Sequence, residues 1–437
     1  MDNTQRLTNT STKQQWIAEQ ARKHPERVFN SLHQVMDIDW LREAYKRTRK
    51  DGAVGVDGVT AQAYAEDLEA NLLDLLNRIK SGSYQAPPVR RHWIPKGDGG
   101  SRGLGIPTFE DKVAQRAILM VLEAIYEQDF LSCSYGFRPD RGCHGALDAI
   151  RAGIMAEGCR YVIDADISKY FDSIEHGQLR AFLDLRIKDG VIRRMIDKWL
   201  KAGILDQGML KRSESGTPQG GVLSPCLSNI FLHHVLDRWY EQEVKPRLRR
   251  RSGLVRYADD FVLLFELEHD AGRVLEVLGK RFDRFGLTLH PVKTRFLDFR
   301  PPQGKGTTDN ENFDFLGFTH VWGRSRKGYQ VLWQVTSKVR FARAVKTVYQ
   351  WCKWNRHRPL IEQQEHLSRV IRGHCAYYGI TGNMKRLLIF RNQLIRGWRK
   401  ALSRRSRDGN LNWEDMNRLL CQYPLALARV VRSIYAT

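Results

Sequence analysis

The chain has 437 residues, of which 42% are hydrophobic and 10% aromatic, so wholesale disorder is excluded and two or three domains are expected at roughly 100–200 residues each. Its longest apolar runs fall far short of the roughly 18 residues that span a bilayer, and the polar N-terminus lacks the apolar core of a secretory signal. Seven cysteines without a CxxC pair argue against a disulfide framework or a zinc finger. We therefore expect a soluble protein of a reducing compartment.

The net charge of +22 indicates a polyanionic partner, most simply a nucleic acid. From residue 301 onward the chain carries 25 Lys and Arg against 8 Asp and Glu, so most of the excess positive charge lies in this last part. Excess Lys and Arg can also serve solubility alone, but solvating charge is usually mixed in sign. The uneven distribution favours nucleic-acid binding.

The first half of the chain alternates between helical and strand-like patterns. Residues 1–80 are predicted to be mostly helical, and residues 81–110, where proline and glycine recur, to form short strands and loops. An apolar stripe predicts a helix over about 109–130, and residues 160–167 are predicted to form a strand followed by a helix.

Further along, a helix is predicted over 227–244 and two strands joined by a polar turn over 254–265. Composition marks 301–310 as a linker. Helices then return, and the one between 338 and 353 is apolar on one side and basic on the other, so one face is predicted to pack and the other to meet an anion or solvent.

Two adjacent carboxylates, Asp259 and Asp260, lie at the tip of the predicted hairpin. Asp is common in solvated turns, which would account for this pair taken alone. Asp166 ends the strand predicted upstream, however, so three carboxylates would converge at one sheet edge. Two-metal phosphoryl transfer requires that arrangement, and Mg²⁺ prefers carboxylate oxygens. Asp164 alternates with Asp166 on the same face, and we expect Asp166 to be the ligand and Asp164 to be structural.

Residues 166–172 (DISKYFD) and 257–260 (YADD) resemble the palm motifs of reverse transcriptases. The blocks around them resemble, in the same order, those of the group II intron reverse transcriptase/maturase family, and the similarity extends over about residues 40–437. These blocks are residues 52–60, 93–96, 102–108, 134–139, 215–225, 286–294 and 313–318.

The resemblance implies an α+β fold, namely a right-hand polymerase whose fingers and palm contain an antiparallel sheet, followed by an α-helical thumb/maturase domain. It assigns residues 1–80 to an N-terminal extension and the start of the fingers, and residues 81–300 to the fingers and palm. Residues 301–312 would be a linker and residues 313–437 the thumb and maturase (X) domain.

The same resemblance implies catalysis by Asp166, Asp259 and Asp260. It places two Mg²⁺ ions, with Mn²⁺ as a substitute, at a metal site formed by these residues and Ile167.

Five residues are implied in dNTP binding: Lys96, Arg102, Phe171, Gln219 and Lys293. Lys96 and Arg102 offer a point charge and a bidentate fork to the triphosphate, and Gln219 would contact the nucleotide. Phe171 would stack under the incoming sugar and exclude a 2′-hydroxyl, although it could instead pack as a core pair with Tyr170. Lys293 would either protonate pyrophosphate or steer phosphates.

A primer grip is implied at Phe315, Leu316 and Gly317. Basic segments interleaved with Tyr and Trp, over 370–383 and 398–405, resemble the thumb and X region, and suit groove tracking and base stacking. His374 stands where the family often has tryptophan, and Gly103 where it usually has proline.

The implied function is an RNA-directed DNA polymerase that also binds group II intron RNA and assists its splicing. Its partners would be template and intron RNA, a DNA primer or target, and dNTPs, with no membrane; the oligomeric state, monomer or dimer, stays open. The implied location is a bacterial-type cytoplasm, at the nucleoid during work on DNA. The chain ends after the thumb-like region without an HNH-type endonuclease, so we expect it to prime from pre-existing DNA ends.

Two other functions fit the same pattern. One is an RNA-binding maturase whose polymerase is vestigial, although the intact carboxylates, Phe171 and Gln219 speak against it. The other is a freestanding reverse transcriptase in DNA repair or defence, which shares all of these motifs.

Overall fold

The computed structural model describes residues 9–95, 100–206, 209–211, 216, 220–302, 311–325, 327–405 and 409–433. The chain has mixed α and β structure and divides into two compact units. The first unit comprises Met1–Gly153 and Val162–Phe296, and the second comprises Ile154–Tyr161 and Leu297–Thr437. Among the described residues, no helix is long and apolar enough to cross a membrane.

The first unit is rich in helices, as predicted for its N-terminal part. In chain order they are α1 (Thr10–Lys23), α2 (Ile38–Arg47), α3 (Ala61–Glu66), α4 (Leu68–Ser81), α5 (Phe109–Asp129), α6 (Cys143–Met155), α7 (Tyr170–Ser173), α8 (His176–Asp184), α9 (Gly190–Lys201), α10 (Ser224–Leu232) and α11 (Glu268–Asp283).

Helix α5 confirms the prediction over 109–130 and forms the centre of this unit. It begins at Thr108, whose hydroxyl accepts a hydrogen bond from the backbone N–H of Asp111 and so satisfies one free donor of the first turn. Its apolar stripe, including Val113 and Ala117, is fully buried. The indole of Trp40 on α2 donates to the carbonyl of Ala117 at 2.9 Å, which ties the two helices together.

The helix predicted over 227–244 is present but not uniformly α-helical. After α10 it continues as π-helical segments at His233–Asp237 and Trp239–Val244, followed by a 3₁₀ turn at Lys245–Arg247. A π turn holds more residues than an α turn, and such segments often occur at functional sites. The first π-helical segment ends at Asp237, whose side chain is fully buried.

Within the residues that the structure describes, the strands form three small sheets. Their bounds are β1 (Val89–Pro95), β2 (Ser101–Ile106), β3 (Tyr161–Ala165), β4 (Ile204–Asp206), β5 (Met209–Lys211), β6 (Ser252–Tyr257), β7 (Asp260–Phe265), β8 (Arg295–Asp298), β9 (Phe313–Phe315), β10 (Phe318–Arg324) and β11 (Gln330–Thr336). The strand orders are β2-β1-β4-β5, β6-β7-β3-β8 and β11-β10-β9.

The prediction of an antiparallel sheet needs one correction. Strands β1 and β2 pair antiparallel, as do β4 and β5, but β1 and β4 pair in parallel at Val89 and Arg90. About a hundred residues of mostly helical chain separate β1 from β4, and a crossover of that kind returns the chain in the same direction.

The second unit combines the sheet β11-β10-β9 with helices α12 (Lys338–Trp354), α13 (Leu360–Tyr378), α14 (Met384–Leu402) and α15 (Trp413–Gln422). These helices enclose their own core, which includes Cys352, Leu367 and Trp398. Helix α12 confirms the predicted two-sided pattern, since Val348 and Cys352 are buried while Lys346 and Lys353 are exposed.

Candidate active site

The two adjacent carboxylates lie at the tip of a tight hairpin. Strands β6 and β7 pair antiparallel up to Tyr257 and Asp260, so only Ala258 and Asp259 form the turn. Ala258 has φ +57°, a left-handed conformation that L-residues adopt at a cost of about 1–2 kcal/mol. Surrounding contacts must therefore hold this turn.

Those contacts come from Arg256, which is fully buried beneath the turn. Its guanidinium donates to the carbonyl of Ala258 at 3.0 Å and to both carboxylate oxygens of Asp237 at 2.5 and 2.7 Å. It also donates to the side chains of Asn229 and Ser134. Because Arg256 and Asp237 both have 0% exposed side chains, their charges neutralise each other inside the protein, and the network fixes the turn from below.

A second backbone segment supports the turn from the side. A Cβ atom on Gly136 would lie 2.4 Å from the backbone nitrogen of Ala258, so only glycine allows this approach. The carbonyl of Gly136 accepts a hydrogen bond from Asn229 at 2.7 Å, and Asn229 also bonds Arg256. The next residue, Phe137, has φ +56° and packs against Tyr257 with ring centroids 6.2 Å apart.

Strand β3 ends at Ala165, two residues before the predicted end at residue 167, so Asp166 directly follows the strand. Its backbone carbonyl accepts from the N–H of His290 at 2.8 Å, and Ile167 forms an antiparallel bridge with Leu289. These contacts fix the backbone at Asp166 and so limit the positions that its carboxylate can take. The Ile167 side chain is buried, so the only ligand that Ile167 can offer a metal is its backbone carbonyl.

The three carboxylates influence one another electrostatically. Burial, followed by the charges of Asp259 and then Asp166, raises the pKa of Asp260 to about 7. Burial also raises the pKa of Asp259, with Asp166 adding to the effect while Arg102 and Lys293 oppose it. Neighbouring carboxylates disfavour one another's ionised form, and a bound divalent cation stabilises that form.

Lys293 contacts this cluster directly. Its Nζ lies 2.6 Å from an Asp166 carboxylate oxygen, while Asp164 is held by Arg295 at 2.9 Å. Among the described residues, no three Asp, Glu, His or Cys side chains already stand in a metal-binding arrangement. The donor set fits Mg²⁺ in chemistry and charge, and the Lys293 ammonium partly neutralises the Asp166 carboxylate.

Arg102 and Phe171 lie next to each other. The guanidinium carbon of Arg102, on β2, is 6.0 Å from the centroid of the Phe171 ring. Phe171 is 8% exposed and packs edge-to-face on Tyr170 at 5.4 Å. Both interpretations of Phe171 therefore keep support, since the ring packs with Tyr170 yet faces a cation of the predicted triphosphate site.

Lys96 and Gln219 lie outside the described residues, and their assignments stay predictions. Gly220, beside Gln219, is described and has φ +110°. A Cβ there would lie 2.7 Å from the carbonyl oxygen of Gly105, so glycine is required for this segment to lie against β2.

The predicted primer grip forms a separate turn in the second unit. Leu316 and Gly317 have φ +51° and +80° and join β9 to β10 as a two-residue hairpin loop of the kind that matches strand twist. The hydroxyl of Tyr377 donates to the Leu316 carbonyl at 2.8 Å. Phe315 is buried next to the turn, so the sheet and helix α13 hold the loop rigidly.

Sequence reasoning missed the Arg256 network. The one signal available was an arginine in the middle of an apolar strand, which must find a buried partner. That partner, Asp237, and the further contacts Asn229 and Ser134 could not be identified from spacing.

Comparison with known proteins agrees with these features. The chain matches the family described as reverse transcriptase (RNA-dependent DNA polymerase) over residues 94–320. Protein YkfC of Escherichia coli (strain K12) is 34% identical over 333 residues, which cover 69% of this chain and 85% of YkfC. Group II intron-encoded protein LtrA of Lactococcus lactis subsp. cremoris is 34% identical over 282 residues, which cover 61% of this chain and 46% of LtrA.

An uncharacterized 91 kDa protein in the cob intron of Schizosaccharomyces pombe is 35% identical over 240 residues, which cover 54% of this chain and 29% of that protein. The chain thus spans most of the length of YkfC but less than half the length of the two intron proteins.

Proposed function

The chain belongs to the reverse transcriptase (RNA-dependent DNA polymerase) family, in its group II intron branch, and we propose that it extends a DNA primer along an RNA template by two-metal nucleotidyl transfer. The observation that carries this proposal is that Asp166, Asp259 and Asp260 lie close enough for their charges to interact. Burial raises the pKa of Asp259 and Asp260, and the neighbouring carboxylate charges raise it further. In the same proposal the protein binds group II intron RNA and assists its splicing.

In this proposal Asp166, Asp259 and Asp260, with the backbone carbonyl of Ile167, hold two Mg²⁺ ions. When bound, such ions lower the pKa of the attacking primer 3′-hydroxyl and neutralise the triphosphate and the leaving pyrophosphate. The Arg256 network keeps the Asp259 turn in one position before substrate arrives, which is the contribution that a fixed charge constellation makes to transfer.

The dNTP is proposed to lie between Arg102 and Lys293, because both cations are close enough to Asp259 for their charges to favour its ionised form. Arg102 would bind the triphosphate with a bidentate fork. Lys293 would exchange its contact with Asp166 for the pyrophosphate, either as a proton donor or by charge alone. Phe171, next to Arg102, would lie under the sugar and exclude a 2′-hydroxyl.

The right-hand arrangement is part of the proposal. The hairpin β1–β2 would belong to the fingers, and the sheet β6-β7-β3-β8 to the palm. The second unit would supply the primer grip at Phe315, Leu316 and Gly317 and, with its helices, the thumb and maturase domain. The concentration of basic residues after position 301 supports that assignment, because a nucleic-acid duplex must pass the thumb.

The test is Asp259→Asn. We expect dNTP incorporation on an RNA template to fall by at least about 100-fold, because the loss of one charge removes a metal ligand, while RNA binding measured by filter retention stays within about twofold.

The matched control is Asp164→Asn. Asp164 lies on β3, two residues before Asp166 and on the same face, but its carboxylate is engaged by Arg295, so primer extension is expected to survive its replacement. Full activity in Asp259→Asn, or equal loss in both variants, would contradict the assignment of the metal ligands.

A further inference from the structure

A pocket opens between helices α12 and α14 of the second unit, away from the predicted primer-grip turn in sequence. Its volume is about 310 Å³. One wall carries Lys346, Tyr349 and Lys353 from α12, and the other carries Lys400 from α14 and Arg404 from the turn that follows it. On α12, Lys346, Tyr349 and Lys353 are three and four residues apart, which places them on one helix face. This helical ridge borders the pocket over about 10 Å.

The pocket concentrates positive charge without neutralisation. Five cations line it, the fifth being Arg356, and no Asp or Glu is among its lining residues. Within the described part of the chain, none of the five takes part in a salt bridge. Other cations of this unit do so, for example Arg358 with Glu362. Five like charges facing one cavity repel one another and favour an anion there.

The pocket also contains a fixed aromatic ring. Gly397 lies opposite Tyr349, and a Cβ on Gly397 would approach two ring carbons of Tyr349 to 2.9 Å, so the missing side chain is what lets the ring pack there. The hydroxyl of Tyr349 lies 3.2 Å from the side-chain oxygen of Gln393, to which it donates. The ring is half-buried and held in one orientation, as a stacking surface must be.

A phosphate-bearing ligand with a flat aromatic group would use both features. Phosphates follow one another at about 3.4 Å along the axis of a strand, so a 10 Å ridge of cations matches about three of them. A single base would stack on Tyr349, with the arginine guanidinium planes nearby. A base can enter a side pocket only when it is unpaired, and bulges and loops that present unpaired bases are features of folded RNA.

We propose that the α12–α14 pocket binds an unpaired nucleotide of a structured RNA, with Tyr349 stacking on the base and Lys346, Lys353, Lys400 and Arg404 holding the flanking phosphates. This rests on the proposed function in one respect, that a folded RNA is a partner of the protein. It goes beyond that function by assigning the contact to one site and one RNA feature.

The experiment measures the affinity of the full chain for two hairpin RNAs of equal length, one fully paired and one with a single bulged nucleotide. We expect tighter binding of the bulged RNA by roughly 5-fold or more, the range for one stacked base. Tyr349→Ala should abolish this preference and Tyr349→Phe should keep it. Tyr329→Ala, which removes an exposed tyrosine of the same unit outside the pocket, is the matched control and should also keep it.

Replacing Lys346, Lys353 and Lys400 together by Gln should weaken the binding of both RNAs. It should also lower the salt dependence of that binding by about two to three counterions. Thermal melting of each variant reports whether it is folded. The proposal is overturned if the unaltered protein shows no preference, if Tyr349→Ala retains it, or if the same bulge in a DNA hairpin is preferred equally. Primer extension by the unaltered protein on a paired oligonucleotide tests the polymerase separately, so the two proposals fail independently.

Discussion

At the level of single residues, the Asp259 turn depends on a buried arginine that touches no substrate in the proposed mechanism. Arg256 neutralises Asp237 and bonds the carbonyl of Ala258. Arg256→Met is expected to destabilise the protein by about 3–5 kcal/mol, because Asp237 is left buried and unpaired. Chemical denaturation measures this loss.

The double variant Arg256→Met/Asp237→Leu separates stability from positioning. It removes both charges, so most of the lost stability should return. Primer extension should stay reduced by about 100-fold, since the turn has lost its anchor and small displacements of catalytic groups are costly. Recovery of both stability and activity would show that Arg256 has no positioning role.

Phe171 allows a second test at this scale. If its ring excludes the 2′-hydroxyl, Phe171→Val should raise rNTP incorporation relative to dNTP by about 10-fold or more, the discrimination that a small steric change in a pocket provides. If Phe171 only packs on Tyr170, both substrates should decline in parallel. Tyr170→Phe disturbs the same packed pair without changing residue 171, and its selectivity should match that of the unaltered protein.

The residues that could be predicted are those whose roles depend on local pattern. Two adjacent Asp between apolar strands, and one Asp directly after a third strand, can be read from neighbours in the chain. Arg256 could not be assigned, because its partners Asp237, Asn229 and Ser134 lie 19, 27 and 122 residues away. Sequence pattern shows that a buried charge needs a partner but does not show which residue the fold brings to it.

At the level of elements, the local apolar pattern predicted α12, which buries one face, and also α5 and the β6–β7 hairpin, which are buried over most of their length. It predicted the helix after residue 227 but not its change to π-helical turns at His233–Asp237, since the apolar pattern is continuous there. Periodicity did not predict the parallel pairing of β1 with β4, because strand partners are set by the path of the intervening chain.

The sheet β11-β10-β9 supports a prediction about pH. His320 on β10 is fully buried and stacks on Phe313 with ring centroids 4.4 Å apart, and burial lowers its pKa from 6.5 to about 3. Between these values the unfolded chain takes up a proton that the folded protein does not. The contribution of His320 to stability is therefore complete above pH 6.5 and decreases as pH falls toward 3, by up to about 1.4 kcal/mol per pH unit.

His320→Gln keeps a hydrogen-bond acceptor near Gln334, which lies 3.2 Å from the imidazole, but cannot titrate. We expect the melting temperature of the variant to fall less steeply than that of the unaltered protein between pH 6.5 and 4. The buried His374, whose pKa is lowered to about 4, remains in both proteins and so cancels in the comparison. Parallel curves would show that the His320 site accepts a proton in the folded state.

At the level of the whole molecule, the net charge and the family membership raise the question of which RNA the protein binds. The excess of positive charge after residue 301 gives an affinity that is largely independent of sequence and weakens steeply with salt. Such charge alone would retain many RNAs. An intron-bound maturase needs selective contacts in addition, whereas a freestanding polymerase in repair or defence does not.

Purification from the native host in low salt, followed by sequencing of the retained RNA, distinguishes these two roles. If the protein acts in group II intron mobility, one structured intron RNA should dominate, and it should persist as salt is raised until unrelated RNAs are lost. Asp259→Asn should retain the same RNA, because its defect lies in nucleotidyl transfer and not in binding. If many unrelated RNAs are retained and all dissociate at the same salt concentration, the polymerase proposal is unaffected and the protein is assigned to the freestanding role.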